Sequence, residues 1–218
     1  MLPFTADILF SSFEAYNRAL WPLPILAFAL ALAAILLALR PVRGGDRMIG
    51  ALLAAAWLWV GLRYHVLHHV AIDFSAPLYG AFFVLQGLLL AWTGVVRGRL
   101  AFRYRAGLPG WVGLMLALVA TIAWPLADAL WGPGWPSVRL VGLAPTPTAV
   151  FTLGLLLLIG GRTPLHLAVI PALWTLVAGA TAWILAIPQD LLLPVAGVGA
   201  LILILCKNRR RDHGRAVV

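Results

Sequence analysis

Seven stretches of this chain are apolar for long enough to resist water along much of their length: roughly 19–40, 48–69, 77–97, 111–131, 147–160, 165–187 and 191–206. About 20 such residues make a helix that crosses a hydrocarbon core of about 30 Å. Breaks rich in Arg, Gly or Pro separate the runs and end each helix. Composition agrees: 63% of the 218 residues are hydrophobic and 11% charged, against about a quarter charged in soluble domains. The expectation is an all-α integral membrane protein, a bundle of seven transmembrane helices. Its organisation reads as an amphipathic N-terminal segment 1–18, a single seven-helix domain 19–206 and a basic tail 207–218.

The net charge of +9 is a matter of placement. Thirteen of the sixteen basic residues fall in alternate connections: Arg40, Arg43 and Arg47, then Arg97, Arg99, Arg103 and Arg105, then Arg162, then Lys207 to Arg215 in the tail. Short basic loops stay in the cytoplasm. The reading is therefore a cytoplasmic C-terminus and, with an odd number of spans, an outer N-terminus, in the inner membrane. The cytoplasmic arginines lie within a few residues of hydrophobic ends, where they meet anionic lipid headgroups. Lipid, not nucleic acid, is their expected partner.

The first fifteen residues hold Asp7 and Glu14 and no positive charge, unlike a cleavable signal peptide. Phe4, Ile8, Leu9, Phe13 and Tyr16 recur at helical spacing opposite acids and serines, the pattern of a short helix lying on the outer membrane surface.

Two breaks carry the functional signal. From Trp131 to Thr148 the chain contains four prolines and three glycines between Gly132 and Pro147, yet Leu140 to Ala144 is apolar. The helix that follows has only about fourteen residues, about 21 Å. Non-helical backbone at membrane depth is tolerated where it is buried in protein or lines a wet cavity, and such breaks mark sites in transporters; a tightly packed outer loop is the structural alternative. Thr146 or Thr148 is expected to cap the short helix, with Pro147 in its first turn. The second break, Ile187-Pro188-Gln189-Asp190, offers Asp190 as a cap for the last helix.

Ionisable groups at the ends of spans are the remaining candidates. His65, His68, His69 and Asp73 follow one another at the end of the second span. Such spacing suits a transition metal, or haem through a histidine, when other helices complete the shell; a His cluster at a helix end among headgroups is the plain alternative. Asp128 has Arg63 or Arg139 as a prospective partner, and Gln86 suits a helix–helix hydrogen bond. No Lys lies within a span, which excludes a retinal Schiff base. The four serines, Ser11, Ser12, Ser75 and Ser137, lie outside the spans and support no hydrolase, so the residues favour a protein that is not an enzyme. Cys206 is alone and forms no internal disulfide.

Ala15-Tyr16-Asn17-Arg18, Trp21-Pro22, Tyr64-His65, Val84-Leu85-Gln86, Gly142 to Thr148 with Phe151-Thr152-Leu153-Gly154, Ile170 to Trp174 and Pro188-Gln189-Asp190 together resemble a bacterial family of uncharacterised integral membrane proteins, a domain of unknown function. That pattern often has Cys-Pro-Thr where this chain reads Thr146-Pro147-Thr148, which weighs against soft-metal transport. The resemblance and the residue reading converge on the outer ends of the spans. Tyr16, Asn17, Tyr64, His65, Asp128, Thr146, Thr148, Gln189 and Asp190 are the expected lining of one outward polar pocket that binds or transports a small solute or ion. Two alternatives stand beside it: a metal- or haem-binding membrane protein or enzyme using His65, His68, His69 and Asp73, and a homo-oligomer or accessory subunit of a larger membrane complex.

Overall fold

The computed structural model describes residues 3–131 and 134–216, without side-chain detail at Gln189 or from residue 211 onward. The described residues form helices and one isolated bridge between Phe102 and Ile159, with no strands. Each of the seven apolar runs carries a helix. After α1 (Ala6–Ala19) come α2 (Leu23–Leu39), α3 (Gly45–Trp59), α4 (Ala76–Leu90), α5 (Leu108–Leu118), α6 (Trp124–Trp131), α7 (Pro145–Leu157), α8 (His166–Leu185) and α9 (Leu193–Ala216). Three helices run on through widened π turns: α3 into Val60–Val66, α4 into Ala91–Val96, and α5 through Val119–Ala123 into α6.

Four of these helical runs are long and apolar enough to cross a membrane: Gly45–Ala71, Ala76–Val96, Leu108–Trp131 and His166–Leu185. α1 and α2 pass the same test only as a pair, and they are bent by 93°. The expected N-terminal helix is present, but its apolar face is turned onto the protein. Leu9, Phe10, Phe13, Tyr16 and Asn17 are buried, while Ile8 is exposed. The Asn17 amide donates to the carbonyls of Pro136 (3.0 Å) and Val138 (2.8 Å), tying α1 to the broken segment. Burying an amphipathic face against a partner that also satisfies its polar groups costs less than leaving it unpaired.

α7 is too short to span a bilayer unaided, and all thirteen of its residues are buried. It runs through the middle of the bundle, packed by α5, α8, α9 and α3. Close approach needs small residues: a Cβ on Gly154 would lie 2.7 Å from the Gly113 carbonyl oxygen, and one on Gly113 would lie 2.7 Å from that of Gly154. Such paired glycines let helix backbones touch where lipid supplies no hydrophobic drive. The same device joins α3 to α4, where a Cβ on Gly61 would meet the Gly80 carbonyl at 3.0 Å. Gln86 acts as expected, its amide donating to the Leu167 carbonyl of α8 at 2.8 Å.

The basic connections gather at one end. The Asp46 carboxylate accepts from the Phe102 amide (2.7 Å), and the Arg103 amide donates to the Leu158 carbonyl (2.9 Å). Lys207 reaches the carbonyls of Leu157 and Ile159 and the Thr163 hydroxyl. α1, the 138–144 segment and His65, His68 and His69 lie at the other end.

Candidate functional site

The segment before α7 threads into the protein. Val138 to Val141 are all buried, Arg139 among them at 4% exposure. A guanidinium taken out of water needs counter-charge and full hydrogen bonding, and two carboxylates supply both. From α6, Asp128 accepts from Arg139 Nε (2.9 Å), from Nη2 (2.6 Å) and from the Arg139 backbone amide (3.0 Å). From the turn before α9, Asp190 accepts from Nη2 (3.0 Å) and forms a second, shorter contact with Nη1. The rings of Phe10 and Trp124 lie 5.4 and 5.5 Å from the guanidinium carbon. Burial alone would lower the Arg139 pKa, but Asp190 and Asp128 raise it above the ordinary value and keep the group cationic. Burial raises Asp190 above the usual carboxylate value, with Asp128 adding to the effect against the pull of Arg139.

Capping follows a different plan from the expected one. Ala144 stands at the N-cap of α7, with no side-chain cap. Thr148 turns back instead, its hydroxyl accepting from the Gly142 amide (2.8 Å) and donating to the Ala144 carbonyl (2.6 Å). Gly142, at φ +85°, makes the reversal that this closure requires. Thr146 accepts from the Trp174 indole at 3.3 Å. Asp190 caps nothing, since its carboxylate is committed to Arg139; the turn Pro188–Asp190 precedes α9, which starts at Leu193.

Beside the triad lies a cavity of about 70 Å³, lined by Tyr64, His65, His69, Asp73, Tyr79, Arg139, Thr146, Trp174 and Asp190, with Phe4, Leu9 and Phe13 of the N-terminal segment on one side. That is room for a few waters or a small solute. The π turn at 60–66 points consecutive residues, Tyr64 and His65, inward; such wide turns are frequent at functional sites. The Tyr64 ring stacks between Phe13 (5.1 Å) and His69 (5.1 Å), and its hydroxyl shares a hydrogen bond with His69 Nδ1 (3.3 Å). Trp174, Tyr79 and Phe83 surround His65 edge-on or tilted at 5.3, 5.9 and 4.8 Å between ring centroids. His65 is fully buried, yet neither of its ring nitrogens has a hydrogen-bond partner.

Four of the nine residues expected to form one pocket do line this cavity: Tyr64, His65, Thr146 and Asp190. Tyr16 sits behind it, accepting from the Trp59 indole (3.0 Å), and Asn17 holds the 136–138 backbone. Asp128 lies behind Arg139, which resolves its expected pairing in favour of Arg139 over Arg63. Thr148 is used up at the start of α7. The Gln189 side chain falls outside the described residues.

The prospective metal ligands separate. His68 turns to Ser12, bonded to its hydroxyl (2.9 Å) and carbonyl (3.0 Å). Asp73 accepts from the Ser75 amide (2.8 Å), with His69 Nε2 3.9 Å away. No group of three His, Cys, Asp or Glu side chains among the described residues is placed to hold a metal ion. Sequence reasoning missed Arg139, Tyr79 and Trp174 as lining residues. For Arg139 the signal was present: a lone cation inside the apolar run Val138–Val141, within reach of an acid whose partner was sought.

No curated protein and no solved structure matches the chain. A family model matches residues 6–215, nearly the whole length, and carries the description "family of unknown function (DUF6064)". The chain, with its apolar helices around a short buried α7 and its cavity beside a buried arginine, therefore belongs to the DUF6064 family.

Proposed function

We propose that this chain is a seven-span protein of the bacterial inner membrane, N-terminus outside and C-terminus cytoplasmic, that binds a small solute or ion in the cavity beside Arg139 and passes it across the membrane. The charge placement supports the orientation, since thirteen basic residues belong to the end bearing Lys207. The shortness of α7 and the non-helical backbone before it support the transport reading, because broken helices bring polar backbone and charge into the bundle where a solute is held.

The observation that carries the reading is His65. A buried imidazole with both nitrogens unpaired costs about 1–3 kcal/mol relative to a satisfied one, and folded proteins rarely leave such groups idle. His65 belongs to the cavity wall, and its imidazole carries one donor and one acceptor that no protein group takes up. Tyr64, Asp73, Tyr79, Thr146, Trp174 and Asp190 complete the lining.

The test is solute-evoked charge movement in proteoliposomes, using a panel of small amines, amino acids, carboxylates and sugars, with wild type and His65→Phe compared. Phe keeps the ring and removes both nitrogens. A current evoked by one class in the wild type and lost in the variant is expected. A panel that evokes no current, or a current that His65→Phe leaves intact, overturns the reading.

A further inference from the structure

The polar groups facing the cavity are unequal in charge, and the inequality indicates the class of solute. Arg139 stands between Asp128 and Asp190, one cation for two anions, and Asp73 adds another carboxylate to the same wall. Even with His69 protonated beside Asp73, the triad keeps a surplus negative charge. Such a buried surplus is met by a proton, toward which burial pushes Asp190, or by a cation, and it disfavours an anion. Arg139 is not available to an anion, because four of its five N–H donors are directed at the two carboxylates.

The rest of the wall suits the same ligand. Trp174, Tyr79 and Tyr64 bring aromatic rings to the cavity, and Trp is the strongest partner for a cation over its face. His65, buried and unpaired, offers a nitrogen that accepts from an N–H. The cavity holds about 70 Å³, which favours a small ligand. We infer that the pocket takes a small monovalent cation of the ammonium class, held by the negative charge of Asp190 and Asp73, by the rings of Trp174 and Tyr79, and by a hydrogen bond to His65. This rests on the reading of the cavity as the solute site and adds its charge and size.

The experiment is a titration of the purified full-length protein in detergent, followed by tryptophan fluorescence and thermal unfolding. The probes are ammonium and methylammonium chloride, with sodium chloride, methanol and sodium formate as cation, neutral and anion controls. A saturable response to ammonium and methylammonium is expected, with methanol and formate silent and sodium weaker. Asp73→Asn, which retains the oxygen that accepts from Ser75, is expected to weaken binding at least tenfold, and His65→Phe to abolish the response. A response to methanol or formate that His65→Phe removes keeps the pocket and overturns the cation. An equal response in Asp73→Asn, or no response to either ammonium probe, also overturns it. The proteoliposome current, measured separately across the wider panel, decides the pocket itself.

Discussion

Lys207 and Arg139 each bring a cation into the protein, at opposite ends of α7, and the surroundings they meet differ in kind. Lys207 is half-buried and donates to the carbonyl of Leu157, the last residue of α7, to that of Ile159 just beyond it, and to the Thr163 hydroxyl. A cation at a helix C-terminus complements the dipole and satisfies oxygens that helix geometry leaves open. Beside it Asn208 and Thr163 exchange two hydrogen bonds of 2.9 Å, side-chain amide to backbone in both directions. Arg139 instead meets two full carboxylates, with an unpaired imidazole across a small cavity. The first end is a lock whose polar groups answer one another; the second keeps polar capacity in reserve.

The largest effect that tests this contrast is removal of the buried guanidinium. Arg139→Leu leaves Asp128 and Asp190 facing each other without a counter-charge, and thermal unfolding in detergent should register a loss of about 3–5 kcal/mol. Lys207→Met comes next, at about 1 kcal/mol, since the acceptors it leaves are neutral oxygens and not charged carboxylates; solute-evoked current should persist in this variant. An equal loss in both would remove the distinction between the ends.

His65→Phe should reverse the usual sign of a core substitution. Stability is expected to hold or rise by about 1 kcal/mol, because a buried unpaired group disappears while the ring packing against Phe83 and Trp174 stays, and the current should vanish. A substantial loss of stability would mean that the imidazole serves the fold. The smallest effect is in pH. Asp190 is raised in the folded protein, so the native state holds its proton to higher pH than the unfolded chain does. Its contribution to stability is most favourable in acid and declines as pH rises from 3.8 through the raised value. The wild type should show that decline, and the difference from Asp190→Asn isolates it from other titrating groups.

Much of the helical layout was legible because it depends on local quantities. The length of an apolar run and the position of Pro, Gly and Arg between runs are enough to locate α2 to α9, and the count of residues after Pro145 is enough to mark α7 as short. The partners of buried charges were only partly legible. Asp128 and Arg139 lie eleven residues apart and were paired from sequence as one of two options. Asp190 is fifty-one residues further on, and its type and position in a Pro-Gln-Asp turn gave a capping role that holds for isolated helices; a buried guanidinium outcompetes helix amides for a carboxylate. The direction faced by α1 was misjudged for a related reason: an amphipathic stripe reports that something apolar covers it, and both a lipid surface and a protein surface meet that condition.

The enclosure of α7 has a consequence for how the chain tolerates change. A lipid-facing helix has one side where any apolar side chain serves, so its tolerance to substitution rises and falls every 3.6 residues. α7 has no such side, because all thirteen of its positions touch protein. A systematic scan of single substitutions should find the stretch from Pro145 to Leu157 uniformly intolerant, with no helical rhythm, while α2, buried only along Ala31, Ala34, Ile35 and Ala38, keeps a clear one. In an alignment of family members the same stretch would stand out as a block, and the block would record enclosure as much as chemistry.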